Sequence, residues 1–515
     1  MKRRSALPSL AGGALLGGLA AVAGVVAWPE MAASGYFLAH GWRLYDQVIQ
    51  QYTPLLMYIV AGVGSALGFG AGSFRLLVGI FLFAQGLLLG FEVLRGSLSG
   101  ARTVTYGVAL AAVAAWTAYF DAFALYPDCS LAPFALGAVL LLERFERTGR
   151  TRPLALAGLA LGAGILVKQT FACAAIGAAL WLVLASRRRS VRNALTLAGT
   201  VAAPYLVFCA LWGALFQTSG HLLWTLVIPL TRHAPDMGVG PDRADLLESI
   251  APFLVLASLV LLSPPRLPHS RSSPLVWVAL ATIGMAWPRW GLLHLSATTG
   301  LLGLALARAL RAGSLGARRV ARSRSRLRRV VFLGAAGGLL ATHIVVAAAG
   351  GGSELFHQAG SGVRFWDEPD FRQLASEAKE RIGPTREFLT YYATHDNIYV
   401  LAEAFPPGKL YVNAGPLFFL EVDDLDNRLV ETLGRKPGLA VLFRNPTGVE
   451  LRWARRTRLW HFFARRTRAV SPSKGDAEWR EVIPAPGPDP RPFVSGGPKS
   501  DSGVGAPGPG PGPDS

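Results

Sequence analysis

Apolar runs of membrane length recur from the N-terminus to about residue 350, and nothing else in this 515-residue chain restricts its fold as strongly. An α-helix needs about 20 residues to cross the hydrocarbon of a bilayer. Backbone amides there have no water to bond, so spanning runs are helices or closed-barrel strands, and these are too long and continuous for strands. The expected fold class is an α-helical polytopic membrane protein.

The net charge of +19 comes from 51 basic and 32 acidic residues, a balance that in another setting suggests nucleic acid. The positions argue against such a partner. Arg308, Arg311, Arg318, Arg319, Arg322, Arg324, Arg326, Arg328 and Arg329 crowd one loop, and Arg187, Arg188, Arg189 and Arg192 fill another. Short Arg-rich loops between apolar spans mark the cytoplasmic side. The three cysteines, Cys129, Cys173 and Cys209, lie within or beside apolar runs, which gives no basis for a disulfide framework or a metal site.

Lys2, Arg3 and Arg4 precede the first run and place the N-terminus in the cytoplasm, whether residues 10–28 stay as a helix or are cleaved as a signal peptide. Parity then requires one of the stretches 54–70 and 74–94 not to span. The Pro- and Gly-rich 54–70 reads as a helix lying at the outer interface. Further crossings at 103–120, 128–143, 153–167, 169–185, 193–216, 249–264, 274–288, 292–311 and 328–349 bring the total to about eleven. Glu30, Asp46, Asp128, Lys168, Arg232, Arg289 and His294 then all open on the exported face.

The organisation expected is a transmembrane domain over residues 1–350 with an exported first loop at 29–73, an exported α/β domain over 351–480, and a disordered Pro/Gly-rich tail over 481–515. Within the α/β domain, 367–382 and 424–433 read as helices, and 397–401 and 438–443 as short buried strands. The acids Glu421, Asp423, Asp424 and Asp426 lack calcium-loop spacing and read as helix-start chemistry. A basic run from Arg452 to Arg468, interleaved with Trp453, Trp460, Phe462 and Phe463, suits anionic lipid head groups, an acidic glycan or simple solvation.

Candidate chemistry lies on the exported side. Glu30, Asp46 and Asp128 could serve as general bases or hold a cation, while Asp128 after Pro127 could equally cap a helix. Lys168 lies between two short apolar runs against the positive-inside bias, so it calls for an anion, with a phosphate the natural partner, or snorkels to the head groups. Arg289 and His294, in the turn Trp287-Pro288-Arg289-Trp290-Gly291-Leu292-Leu293-His294, and Arg232 in the loop 217–248, could add further cations.

Four motifs in order carry a family resemblance: the exported acid Glu30, then Gly41-x-x-x-Tyr45-Asp46 and Tyr52-x-Pro54-Leu55; Pro127-Asp128; Lys168-Gln169; and Pro288-Arg289 followed by His294. Together, over residues 10–350, the chain resembles the GT-C superfamily of polyprenyl-phosphate-sugar-dependent glycosyltransferases, which includes protein O-mannosyltransferases and the lipid A aminoarabinose transferase. Where this chain has Pro29-Glu30-Met31, the family more often shows Asp or Asp-Glu. The resemblance implies a polyprenyl-phosphate-linked sugar as donor, inversion at the anomeric carbon, Glu30 as base with Asp46 beside it and Asp128 as the acid of the second exported loop. Lys168, Arg289, His294 and Arg232 are the candidates for binding the donor phosphate. No cofactor is expected beyond that donor and no metal-ligating residues are assigned, while the sequence leaves dependence on a divalent metal open. The expected setting is the plasma (inner) membrane with the site outside, and the acceptor a glycan, lipid or protein. A flippase for a lipid-linked glycan and an inactive glycan-binding homologue are the competing readings.

Overall fold

The computed structural model describes residues 6–93, 100–120, 123–211, 273–286, 292–308, 341, 362–391, 396–412, 423–444, 454–472 and 477–484. Arg232, Arg289, the basic loop beyond Arg308, the spans at 249–264 and 328–349 and most of the tail lie outside these residues.

The helices follow the apolar runs. α1 (Ala6–Val22) lies along α4 (Ala71–Val93), α7 (Thr151–Val167) along α9 (Val191–Leu211), and α6 (Ala132–Thr148) contacts both α4 and α7. Small residues allow the close approaches. A Cβ at Gly86 would collide with the backbone carbonyl of Gly12, and one at Gly162 with that of Val201. Helices that share an apolar solvent gain little from the hydrophobic effect, so close backbone packing of this kind supplies the attraction.

Two helices, Ala71–Phe91 and Val191–Leu211, are long and apolar enough to cross a membrane by length and composition, with shorter apolar helices beside them. The outward faces are apolar too: Leu195, Leu206 and Leu211 are each more than 60% exposed. Water would penalise such surfaces and lipid would not. Several expected spans are interrupted at one end. The run from 128 begins as a 3-10 turn, Asp128–Ser130, before α6; the run from 292 begins as Leu292–Thr298; and the run from 169 begins as Gln169–Phe171 before α8 (Ala172–Leu180).

These irregular ends lie at one end of the bundle. β1 (Val25–Ala27), which follows α1, pairs in parallel with β3 (Ala124–Leu125) and with β4 (Val363–Arg364). α2 (Pro29–Ala39) and α3 (Leu55–Leu67) pack together near this end, where α4 also starts: its Arg75 donates to the last carbonyls of α1. Arg308 and the arginine loop at 187–192 lie at the far end of α6, about 25 Å away at the helical rise of about 1.5 Å per residue. There Glu146 accepts from Ser186 Oγ at 2.5 Å and Arg187 N at 2.9 Å, and Glu143 holds Arg308 through two bonds of 2.5 and 2.6 Å.

Residues 363–482 form a small α/β layer. A four-stranded sheet runs β5 (Leu389–Tyr391), β7 (Ala440–Arg444), β9 (Ala477–Val482), β8 (Thr467–Pro472), with β5 and β7 parallel and the remaining pairs antiparallel. The helices Pro369–Arg381 and Asp423–Gly434 stand where the sequence indicated. Three expectations are corrected. Residues 397–401 form a helix, Asn397–Leu401, not a strand; a five-residue apolar run has no periodicity to decide between the two. Asp426 serves the start of a different helix, Arg458–Arg466, by accepting from the backbone N–H of Arg458 and of Leu459. The boundary at residue 480 falls inside β9, whose edge carries on to Ile483 N bonded to Arg466 O.

Candidate active site

Asp128, Lys168 and His294 come together at the end of the bundle where the mini-sheet lies. Lys168 terminates α7 with an extended backbone, so the chain turns back at once into Gln169–Phe171 and the side chain points inward at 5% exposure. Its Nζ lies 2.5 Å from Asp128 Oδ2, and His294 Nδ1 is 3.2 Å from each of them. Asp128 is fully buried and makes no capping bond to its own helix, so the helix-cap reading gives way to an ion pair. The anion that Lys168 requires is therefore supplied by the protein itself. A lysine ammonium has three donors, and this pairing uses one on Asp128 and reaches His294 with another.

A wall of aromatic hydroxyls adjoins the cluster. Tyr126 lies two residues before Asp128, its ring 6.0 Å from Lys168 Nζ, and its hydroxyl is hydrogen-bonded to that of Tyr52. Trp28 packs on Tyr126 with ring centroids 5.4 Å apart. The Tyr45 hydroxyl donates to Tyr52 O at 2.8 Å, which folds the first loop back on itself; Tyr45 itself adopts φ 66°, a conformation that side chains favour only when packing enforces it. Burial, with the charge of Glu30 added, raises the Tyr52 phenol above its ordinary value, and burial with Tyr52, Glu30 and Asp128 nearby does the same for Tyr126. Both phenols stay neutral and can donate.

Glu30 occupies the first turn of α2, half-buried, close enough for its charge to act on Tyr52, Tyr126, Asp396 and Tyr411. Asp46 goes elsewhere: its carboxylate forms an exposed ion pair with Arg43 at 3.0 Å rather than entering the cluster. The lysine hairpin is tied to the first loop by Gln169 Nε2 donating to Gln51 O at 2.8 Å. Thr53 Oγ1, Asp128 Oδ1, Gln169 Oε1 and Thr170 Oγ1 are buried atoms without a hydrogen-bond partner among the described residues. Unpaired polar atoms at this density are uncommon in native interiors. No group of three metal-ligating side chains occurs among the described residues.

Sequence reasoning did not single out Tyr126 or the residues of the α/β layer that face Glu30. Tyr52 stood in the motif without a role. Tyr126 is adjacent to the Pro127-Asp128 pair, and that adjacency was the available signal.

An apolar helical bundle with a buried ion-pair cluster at one end, roofed by a small α/β layer, resembles the GT-C-type fold. Residues 51–212 match the family model described as dolichyl-phosphate-mannose-protein mannosyltransferase, a GT-C family. The fold is similar to that of ArnT from Cupriavidus metallidurans, solved bound to undecaprenyl phosphate, with 10% identity, a TM-score of 0.54, and coverage of 94% of this chain and 100% of that one. A weaker likeness links it to the archaeal oligosaccharyltransferase AglB from Archaeoglobus fulgidus, solved with an inhibitory peptide and a dolichol-phosphate: 13% identity, TM-score 0.41, covering 84% of this chain and 69% of that one. No curated protein sequence matches. The GT-C resemblance read from the ordered motifs is borne out.

Proposed function

We propose that this chain is an integral-membrane glycosyltransferase that moves a sugar from a polyprenyl-phosphate carrier to an acceptor on the exported face. The observation carrying this reading is the meeting of Asp128, Lys168 and His294 beside Glu30, Tyr52 and Tyr126 at one end of an apolar bundle of GT-C fold. Arg187, Arg188, Arg189 and Arg308 at the other end support, by the positive-inside bias, a cytoplasmic side there and a cluster that opens outward, with the plasma membrane as the setting. Undecaprenyl phosphate in ArnT supports the donor class.

In this scheme the isoprenoid lies against the bundle and the phosphate meets the remaining Lys168 donor and His294, with Arg289 and Arg232 as further cations. Glu30 takes the proton of the acceptor hydroxyl as its oxygen bonds the anomeric carbon. The bond from that carbon to the phosphate oxygen breaks, and the leaving phosphate keeps the electron pair. Negative charge grows on the phosphate along this path, so fixed cations stabilise the transition state more than the ground state. The unpaired Thr53, Gln169 and Thr170 atoms are suited to the sugar hydroxyls.

The test is the purified protein with a panel of radiolabelled polyprenyl-phosphate sugars, comparing wild type with Glu30→Ala, Asp46→Ala and Lys168→Ala. Glu30→Ala is expected to keep donor binding and lose turnover, Lys168→Ala to bind donor more weakly, and Asp46→Ala to do neither severely. Wild-type behaviour of the Glu30 and Lys168 variants would refute the site.

A further inference from the structure

The α/β layer contributes a buried carboxyl to the same region. Asp396, 3% exposed, sits just before the helix Asn397–Leu401, accepts from Thr390 Oγ1 at 2.8 Å and from the Tyr411 hydroxyl at 2.6 Å. Tyr411 belongs to β6 (Tyr411–Val412), which pairs in parallel with β2 (Val48–Ile49) of the first loop. Tyr411 N donates to Gln47 O at 2.8 Å, and its ring packs 5.0 Å from that of Phe37 on α2, the helix that begins with Glu30. Asn397, the next residue, donates through Nδ2 to Phe365 O, and the Phe365 ring packs at a tilt against Trp28 with centroids 6.1 Å apart. Asp396 therefore lies where the layer grips both α2 and the loop 47–49.

We propose that Asp396 is a positioning residue of the transfer site, which through Tyr411 clasps the α/β layer onto the loop carrying Glu30. This rests on the glycosyltransferase reading for its kinetic consequence but not for its structural one. The groups facing Asp396 are Glu30 from α2, Thr390 from β5, Tyr399 from its own helix and Tyr411 from β6; Tyr399 is committed to the backbone N–H of Thr390. No cation is among these neighbours within the described residues. Burial therefore pushes the Asp396 carboxyl up to about 7, against the two hydroxyl bonds, with the charge of Glu30 adding to the rise. As a neutral acid it places no further negative charge beside Glu30. When it ionises, a second buried negative charge faces Glu30 across the clasp, and the layer is pushed off the loop.

The raised value also fixes a sign. Between the ordinary carboxylate range and about 7 the folded chain holds a proton that the unfolded chain has released, so stability falls as pH rises through this window and levels off above it. The full-length protein in lipid nanodiscs is to be compared with Asp396→Asn, Asp396→Ala and Tyr411→Phe, by thermal unfolding from pH 4.5 to 8.5 and by transfer rate over the same range. Asp396→Asn imitates the neutral acid. It is expected to flatten the fall in melting temperature and to keep near wild-type transfer at acid pH while extending it above neutrality. Loss of the clasp bond in Asp396→Ala and Tyr411→Phe is expected to lower transfer by about tenfold, the kinetic equivalent of one hydrogen bond of about 1.4 kcal/mol. If Asp396→Asn follows wild type in both pH profiles, or loses activity as Asp396→Ala does, the proposal is overturned. An inactive wild type on every donor would sink the transferase reading alone, since the unfolding profiles still decide the role of Asp396.

Discussion

Lys168 and Asp128 are joined by a 2.5 Å contact between buried charges that stand 40 positions apart in the chain. One ends a helix and the other precedes one, so the pair locks two hairpins of the bundle at the level of the site. Removing a single partner of a buried pair leaves an uncompensated charge, at a cost of about 3–5 kcal/mol. Lys168→Met is expected to destabilise by about that amount, and the double variant Lys168→Met, Asp128→Asn to recover most of it. Chemical unfolding in detergent measures the cycle with Asp128→Asn as the other single variant, and a double-variant loss equal to the sum of the two single losses would show that the two groups act independently.

The hydroxyl pair Tyr52–Tyr126 makes a second, milder expectation. Tyr52→Phe keeps the ring against Tyr126 and leaves one buried hydroxyl without its partner, a loss of about 1–3 kcal/mol. Because Glu30 lies beside both phenols, the same change is expected to lower turnover more than donor binding. A variant with unchanged kinetics would remove the tyrosines from the reaction.

At the opposite end, Glu143 and Arg308 predict a contrast. Arg308→Ala strips both bonds from a carboxylate that is nearly buried, and lowers stability by roughly 3 kcal/mol. Donor affinity should not change, since the pair lies a helix length from the cluster. Equilibrium binding of a labelled polyprenyl phosphate checks this, and a tenfold loss of affinity would show that the two ends communicate.

Gly86→Val tests the α1–α4 contact. The added side chain meets the Gly12 carbonyl, the helices separate, and the expected cost is about 1–3 kcal/mol. Gly72→Ala, where a Cβ meets nothing within 4 Å, is the control and should fold as wild type. Melting temperatures in one detergent compare the two.

The bundle was legible because hydrocarbon leaves a chain few options, and runs such as 71–93 and 191–211 state their length directly. The sidedness expected from arginine positions grouped Asp128, Lys168 and His294 at one face, and the structure brings the three together. What sequence could not supply is which charges neutralise each other: Lys168 reads as a cation in search of phosphate until Asp128 is found against it. Asp46 shows the converse, since nothing local distinguishes an acid paired with its neighbour Arg43 from one aimed at a substrate. Asp396 was invisible for a different reason. Its importance comes from pairing between residues 48 and 411, and no local pattern encodes an encounter over that separation.

That pairing has a bearing on biogenesis. The ladder of Val48 with Tyr411 and Ile49 with Val412 joins the loop after α2 to a segment made only after every apolar run has left the ribosome. The early helices are thus made before their partner strand exists, and the contact of residues 48–49 with 411–412 forms only once the C-terminal layer has folded back.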